Sequence, residues 1–212
     1  MSFDVLNQLS SKNLPEALSE LTGSLMQVLS KRRTVLPKRL VAPGPTDEQL
    51  SVFFEAAATA PDHDQILPWR FMIFPENSRV ALGELFAQAL YERDSEATDV
   101  QMEQAREKAL RSPLLMLLVV DESRGDLEVD FSERLLSAGC AVQNILSVAT
   151  SMGFGSSLTS GKAMKSQIFR DGLGLSLSEH AICFVNVGHV ATSKPGKVRP
   201  NPDQFVSSWM AS

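Results

Sequence analysis

Several short stretches of this sequence carry side chains that could do chemistry. "KRRT", residues 31–34, sets two guanidiniums beside a hydroxyl. Arg32, Arg33 and Thr34 can grip one phosphate through forked, charge-assisted hydrogen bonds, yet basic residues are also expected at a helix C-terminus for its dipole alone. Lys194, Lys197 and Arg199 in the tail raise the same choice between an anion grip and a solvated face. "APDHDQ", residues 60–65, puts His63 in a turn between two aspartates. Loops on a rigid scaffold often hold binding groups there, and the plain alternative is an Asx-type turn around a solvated histidine.

Other chemistry finds less support. "GSSLTSGKA", residues 155–163, has five residues between its first glycine and the Gly-Lys pair, and Ala163 follows the lysine. A phosphate loop of the Walker type needs four residues and a magnesium-binding hydroxyl. His63, His180 and His189 lack the spacing that puts two metal ligands on one helix face; His180 and His189 flank the last apolar strand and read as edge residues. Cys140 and Cys183 sit in apolar surroundings without CxxC spacing, as reduced core thiols do.

The elements that must position these groups follow from periodicity. "LPEALSELTGSLMQVLSKRR" spaces Leu18, Leu21, Leu25 and Val28 three and four apart, predicting an amphipathic helix. Proline-rich "TVLPKRLVAPGPT" predicts an extended connection. Thr46 or Asp47 caps a helix with Leu50, Phe53, Phe54 and Ala57 on one face, ending at Pro61. "WRFMIFP" reads as a strand, "SRVALGELFAQALYER" and "DVQMEQAREKALRS" as helices, and "PLLMLLVVDES" as a strand buried on both faces. "FSERLLSAGCAVQNILSVATSMGFG" is a long helix apolar almost all round, fit for the inside of a protein or of a dimer. "GKAMKSQIFRDGL" predicts a further helix and "HAICFVNVGHV" a last strand. Helices with separated strands fit an α+β or α/β class.

Composition bounds the partners. The 212 residues are 43% apolar and carry a net charge of −5. That suits one compact core and is the wrong sign for gripping nucleic acid. No window reaches the uninterrupted apolar length of a membrane span, and the first thirty residues lack a signal-peptide layout. Reduced thiols favour the cytoplasm.

Taken jointly, "RRT", "APGPTDEQL", "APDH" with "PWRF", "SPLLMLLVV", "SAGCAVQN", "GFG" with "SG", "VGH" and "RPNPDQFV" resemble the nitroreductase family, in particular its short, single-domain bacterial NAD(P)H nitroreductases. The likeness runs from residue 31 to the end, leaving 1–30 as an N-terminal helical extension of a 31–212 domain. It implies an α+β fold with a mixed central sheet wrapped by helices, and an intertwined homodimer with FMN at two interface sites. NADH or NADPH would be the electron donor, and a small nitroaromatic or quinone-like molecule the acceptor.

The resemblance also implies site residues. Arg32, Arg33 and Thr34 match the family's phosphate-side RRS, and Arg199 and Lys197 match basic positions near the chain end that face the phosphate. His63 stands where a flavin-contacting histidine is found, reaching a site built mainly by the other subunit. Three departures accompany it: Thr59 replaces an arginine, Leu67 a glutamine, and Leu158, Thr159 and Ser160 replace WRS. Losing two guanidiniums weakens a phosphate grip unless Arg39, Lys162 or the tail compensates. The alternative is therefore a family member with weakened or lost flavin binding, acting as a ligand-binding or regulatory dimer; a third reading keeps the flavin for specialised chemistry such as flavin fragmentation or reductive dehalogenation.

Overall fold

The computed structural model describes residues 14–192, 196 and 198–210. Its centre is β3 (Leu114–Asp121), the near-continuous apolar run, buried along almost its whole length. β3 pairs with β2 (Trp69–Ile73) on one side and with the twelve-residue β5 (Glu179–Val190) on the other. The other edge of β5 carries β4 (Gly155–Thr159), opposite the stretch that pairs with β3, and past the end of β3 the strand pairs with the two-residue β1 (Leu40–Val41). All four ladders are antiparallel. A parallel bridge between Thr34 and Ser156 makes the sheet mixed and ties the "RRT" segment to β4.

Alternation along β3 divides the core. Leu114, Met116, Leu118 and Val120 face one cluster with Val185 and Val187; Leu115, Leu117 and Val119 face the other with Phe184. A register shift at Leu118/Val119 lets both Ile182 and Cys183 lean on the first cluster, as a bulge does. Over that first face lie α2 (Asp47–Ala57) and α5 (Phe131–Ser151), through Phe53, Ala57, Ala138, Ala141, Val142 and Ile145. Thr46, not Asp47, caps α2, in a capping box with Gln49. The second face is covered by α3 (Arg79–Arg93) through Leu82 and Ala89, and by Phe169 of α6 (Gln167–Gly172), while α4 (Asp99–Arg106) packs outside α3.

Two buried arginines tie loops to this frame. Arg79 donates to the carbonyls of Phe74 (2.6 Å), Ala109 (2.8 Å), Ser112 (3.2 Å) and Pro113 (3.1 Å), fixing the turn after α4. Burial lowers its pKa. Arg134, 1% exposed, donates to Val129, Asp121, Arg124 and Asp126 and so holds the loop between β3 and α5.

Several expectations need correction. β4 was not anticipated: "GSSLT" has two serines, a threonine and a glycine, and becomes a strand only because β5 offers an edge. "GKAMKSQIFRDGL" does not form one helix. It splits into a 3₁₀ turn, Lys162–Lys165, and α6, because Ser166 is extended and its hydroxyl accepts the Phe169 N–H as a new N-cap. The proline-rich connection contains a 3₁₀ turn at Pro37–Arg39 and strand β1. The amphipathic helix α1 (Leu14–Lys31) forms, but Leu18, Leu21, Leu25 and Met26 remain 52% to 56% exposed, so its apolar face is not packed within the protomer.

Candidate functional site

The end of α1, the Thr34 bridge and the start of β4 enclose a cavity of about 680 Å³ together with Phe154, Val190 and the tail at Val198–Pro200. Among the described residues its cations are Lys31, Arg32, Arg33, Arg39 and Arg199, and no carboxylate lines it. The guanidiniums are partly anchored on the negative end of α1. Arg199 donates to the Arg32 carbonyl at 2.6 Å, while Arg33 donates to the same carbonyl at 3.1 Å and to the Ser30 carbonyl. Their charges remain uncompensated by acids, and burial, then Arg199, then Arg33 lower the Arg32 pKa. The hydroxyl of Ser156, whose backbone bridges Thr34, is buried without a partner. A cluster of this kind fits a doubly negative phosphate, which relieves the mutual repulsion and takes up the free donors. Arg32, Arg33, Thr34 and Arg199 thus line one cavity. Lys197 lies outside the described residues, as does Lys194.

Arg39 is the residue that sequence reasoning held only in reserve. It enters because the 3₁₀ turn Pro37–Arg39 folds the chain back beside Arg32. The signal was the "PKR" after the RRT segment, which an extended connection would have carried away.

A second cavity, about 550 Å³, lies over the other sheet face. The chain from Thr34 passes between the two: Val35 and Arg39 line the first, Leu36, Pro37 and Lys38 the second. Thr159 and Ser160 line this second cavity and not the first, whereas Leu158 lines neither. Thr159 is held by a relay: buried Asn186 donates from Nδ2 to Thr159 Oγ1 (3.0 Å) and accepts at Oδ1 from Ser112 Oγ (3.0 Å). The remaining polar lining is cationic, with Lys38, Arg93, Lys108, Arg111 and Lys162 around Phe86, Leu90, Leu115, Met164 and Phe184. Apart from Lys162, no sequence signal marks this group, because its members come from separate segments joined only in three dimensions.

His63 sits elsewhere. Its Nδ1 lies 2.8 Å from Glu133 Oε2 in the first turn of α5, and its Nε2 lies 3.8 Å from Asp64. The hydrogen bond to Glu133 chiefly raises its pKa, with the Asp64 charge adding to it. Asp62 does bond nearby backbone, but five residues on and not two as in an Asx turn: its Oδ2 accepts the Leu67 N–H at 2.7 Å. Asp64, Gln65 and Leu67 all have positive φ, of 52°, 53° and 46°, a left-handed conformation unusual for such residues. Asp62 Oδ1 is buried without a partner. Thr59, at the end of α2, accepts from Asn144 Nδ2 at 3.1 Å and donates to the Ala56 carbonyl. Glu133 and Thr150, which lines the first cavity, are at opposite ends of α5, roughly 25 Å apart at the rise of an α-helix. Within one chain the structure therefore does not bring His63 to Arg32.

His180 and His189 do not flank the last strand but lie inside the two ends of β5, opposite Val120 and Val41, and are bonded to Glu122 (3.0 Å) and to the Pro43 carbonyl (2.7 Å). Cys140 and Cys183 are free thiols, and burial pushes Cys183 up to about 11. Among the described residues no acid, histidine and cysteine group could hold a metal, and no helix is long and apolar enough to cross a membrane.

Comparison with known proteins gives one consistent result. The family model for the nitroreductase family matches residues 29–189. A Haemophilus influenzae protein named as an NAD(P)H nitroreductase is 32% identical over 151 residues, covering 71% of this chain and 81% of its own. YdjA of Escherichia coli K12, with the same activity in its name, is 29% identical over 183 residues, 86% of this chain and 97% of its own. Among solved structures, a nitroreductase-like family protein from Bacillus cereus superposes with a TM-score of 0.75 at 18% identity, over 87% of this chain and 95% of its own. A nitroreductase with bound FMN from Desulfitobacterium hafniense gives 0.63 at 21% identity, over 87% and 97%.

Proposed function

The chain belongs to the nitroreductase family, and we propose that it is an FMN-dependent oxidoreductase of the cytoplasm, passing hydride from NADH or NADPH to a nitroaromatic or quinone-like acceptor as a homodimer. One observation carries the reading: among the described residues, five cations and no carboxylate line a cavity at the end of α1, formed by the residues that the resemblance assigns to the phosphate. Bound FMN would supply the redox chemistry, accepting hydride and returning it to the acceptor. The protein's share is binding and orientation. Arg32, Arg33, Thr34 and Arg199 would hold the phosphate, and Arg39 would stand in for the guanidiniums missing at Thr59 and Thr159. Thr159, set by Asn186, and Ser160 would offer hydroxyls at the ring edge.

His63 joins this site only from a second copy. One chain holds it at the opposite end of α5 from the arginines, farther than a single FMN reaches. Unpacked apolar surface supports such pairing: the α1 face, Leu136 on α5, and the tail residues Phe205, Val206, Trp209 and Met210, which are 64% to 88% exposed. A two-fold interface would cover these patches and complete two sites at once.

The test is FMN titration followed by subunit mixing. Wild type should bind one FMN per chain, and Arg32→Ala and His63→Ala should each bind it at least tenfold more weakly, as loss of a charge-assisted contact does. Mixed dimers of the two variants should regain one tight site in two, because one of their sites keeps both side chains. Additive loss with no regain would remove the shared site, and no FMN uptake by wild type would favour the ligand-binding alternative that Thr59 and Leu158 motivate.

A further inference from the structure

The second cavity is built for something the first cannot take. Lys38, Arg93, Lys108, Arg111 and Lys162 come from four separate segments, yet they converge on one opening. Of these five, only Arg111 has an acid among the described residues within ion-pair reach, Glu107 at 3.9 Å. Withdrawal from water, then Arg111, then Arg93 lower the Lys108 pKa. Like charges held this close are destabilising unless an anion joins them. Beneath them the floor is apolar, formed by Phe86, Leu90, Leu115, Met164 and Phe184. A small inorganic anion would leave that floor wet, and a neutral aromatic would leave the cations unpaired. At about 550 Å³ the cavity has the size of ordinary small-molecule sites.

We propose that this cavity binds a small acidic molecule with a flat, apolar body, its carboxylate or sulfonate at the lysine and arginine rim and its ring against Phe86 and Phe184. Thr159 and Ser160 border both this ligand and the ring edge assigned above, so the ligand is the electron acceptor; that role, unlike the binding itself, rests on the flavin reading. The protein thus selects acidic nitroaromatics or acidic quinones over neutral ones.

Calorimetric titration of the purified, flavin-loaded protein with 4-nitrobenzoate and with its neutral amide, 4-nitrobenzamide, tests this directly. Wild type should bind the acid about tenfold more tightly, the value of one charge-assisted contact. The Arg93→Gln/Lys108→Gln double variant should bind both alike, Lys162→Gln should lose part of the preference, and Lys165→Gln, exposed and outside both cavities, should keep it. Equal binding by wild type, or a preference that survives the double variant, overturns the proposal. If wild type takes up no FMN and still prefers the acid, the acid site stands and its role as acceptor pocket is overturned.

Discussion

The two cavities share a charge sign and differ in almost everything else. Among the described residues ten lysines and arginines line them, in a protein of net charge −5, and no acid lines either. The first is dominated by arginines, Arg32, Arg33, Arg39 and Arg199, with two guanidiniums fixed on helix carbonyls. The second has three lysines to two arginines over an aromatic floor. Guanidinium forks impose a geometry that suits a phosphate held in one place; ammonium groups on flexible stems act as point charges and tolerate ligands that vary. The comparison teaches that one acidic chain can keep a rigid cofactor grip and an adaptable substrate grip by segregating its cations and choosing the cation type in each.

The sharpest way to break this comparison is through Arg79, which touches neither ligand. Its bonds to the carbonyls of Ala109, Ser112 and Pro113 hold the turn that carries Lys108 and Arg111. Arg79→Met leaves these buried acceptors without donors and should cost roughly 3 kcal/mol, since each unsatisfied group costs about 1–3 kcal/mol. A melting temperature lower by about 6 to 12 °C is the expected readout. FMN stoichiometry per folded chain should hold while the acid preference of the second cavity falls. If both are lost in parallel, the cavities are one mechanical unit and the contrast between them fails.

A smaller effect should come from restoring charge where this chain has lost it. Thr59 stands where the family resemblance implies an arginine, and here it accepts from Asn144 and donates to the Ala56 carbonyl at the end of α2. Thr59→Arg should tighten FMN about tenfold, one charge-assisted contact, without changing discrimination between 4-nitrobenzoate and 4-nitrobenzamide. Flavin fluorescence quenching measures the first and calorimetry the second. An unaltered FMN affinity would mean that position 59 does not face the phosphate in the dimer.

These two variants also mark what the sequence made legible. Most of the first cavity could be read because its chemistry is local: "KRRT" is contiguous and closes a periodic helix, with Arg199 added from the tail and Arg39 from the turn that follows. The core strands were legible for the same reason, since "PLLMLLVV" declares burial in eight residues. β4 was not, because "GSSLT" has no strand period of its own and is a strand only against β5. The second cavity was illegible in principle: Lys38, Arg93 and Lys108 are more than fifty or about fifteen residues apart, and what unites them is α3 lying across the sheet and Arg79 holding the next turn. The exposed face of α1 misled in the opposite direction, since its period announces burial that the protomer does not provide.

The least effect, and the one that tests a region without a cavity, concerns His63. Its pKa is raised above the ordinary 6.5 by the bond to Glu133 and by Asp64. A group whose folded pKa lies above its unfolded value contributes stability that is fully present below the unfolded pKa and lost as pH rises through the folded one. In flavin-free protein the melting temperatures of wild type and His63→Gln should therefore differ most below about pH 6.5, converge above the raised pKa, and differ less in high salt, because the pair is exposed. A difference that is constant across pH would mean that His63 holds the loop by shape and not by charge. The contrast with Arg32 is one of sign: a pair at one end of α5 gains from its protonated form, whereas at the other end burial, then the charges of Arg199 and Arg33, lower the affinity of Arg32 for its proton.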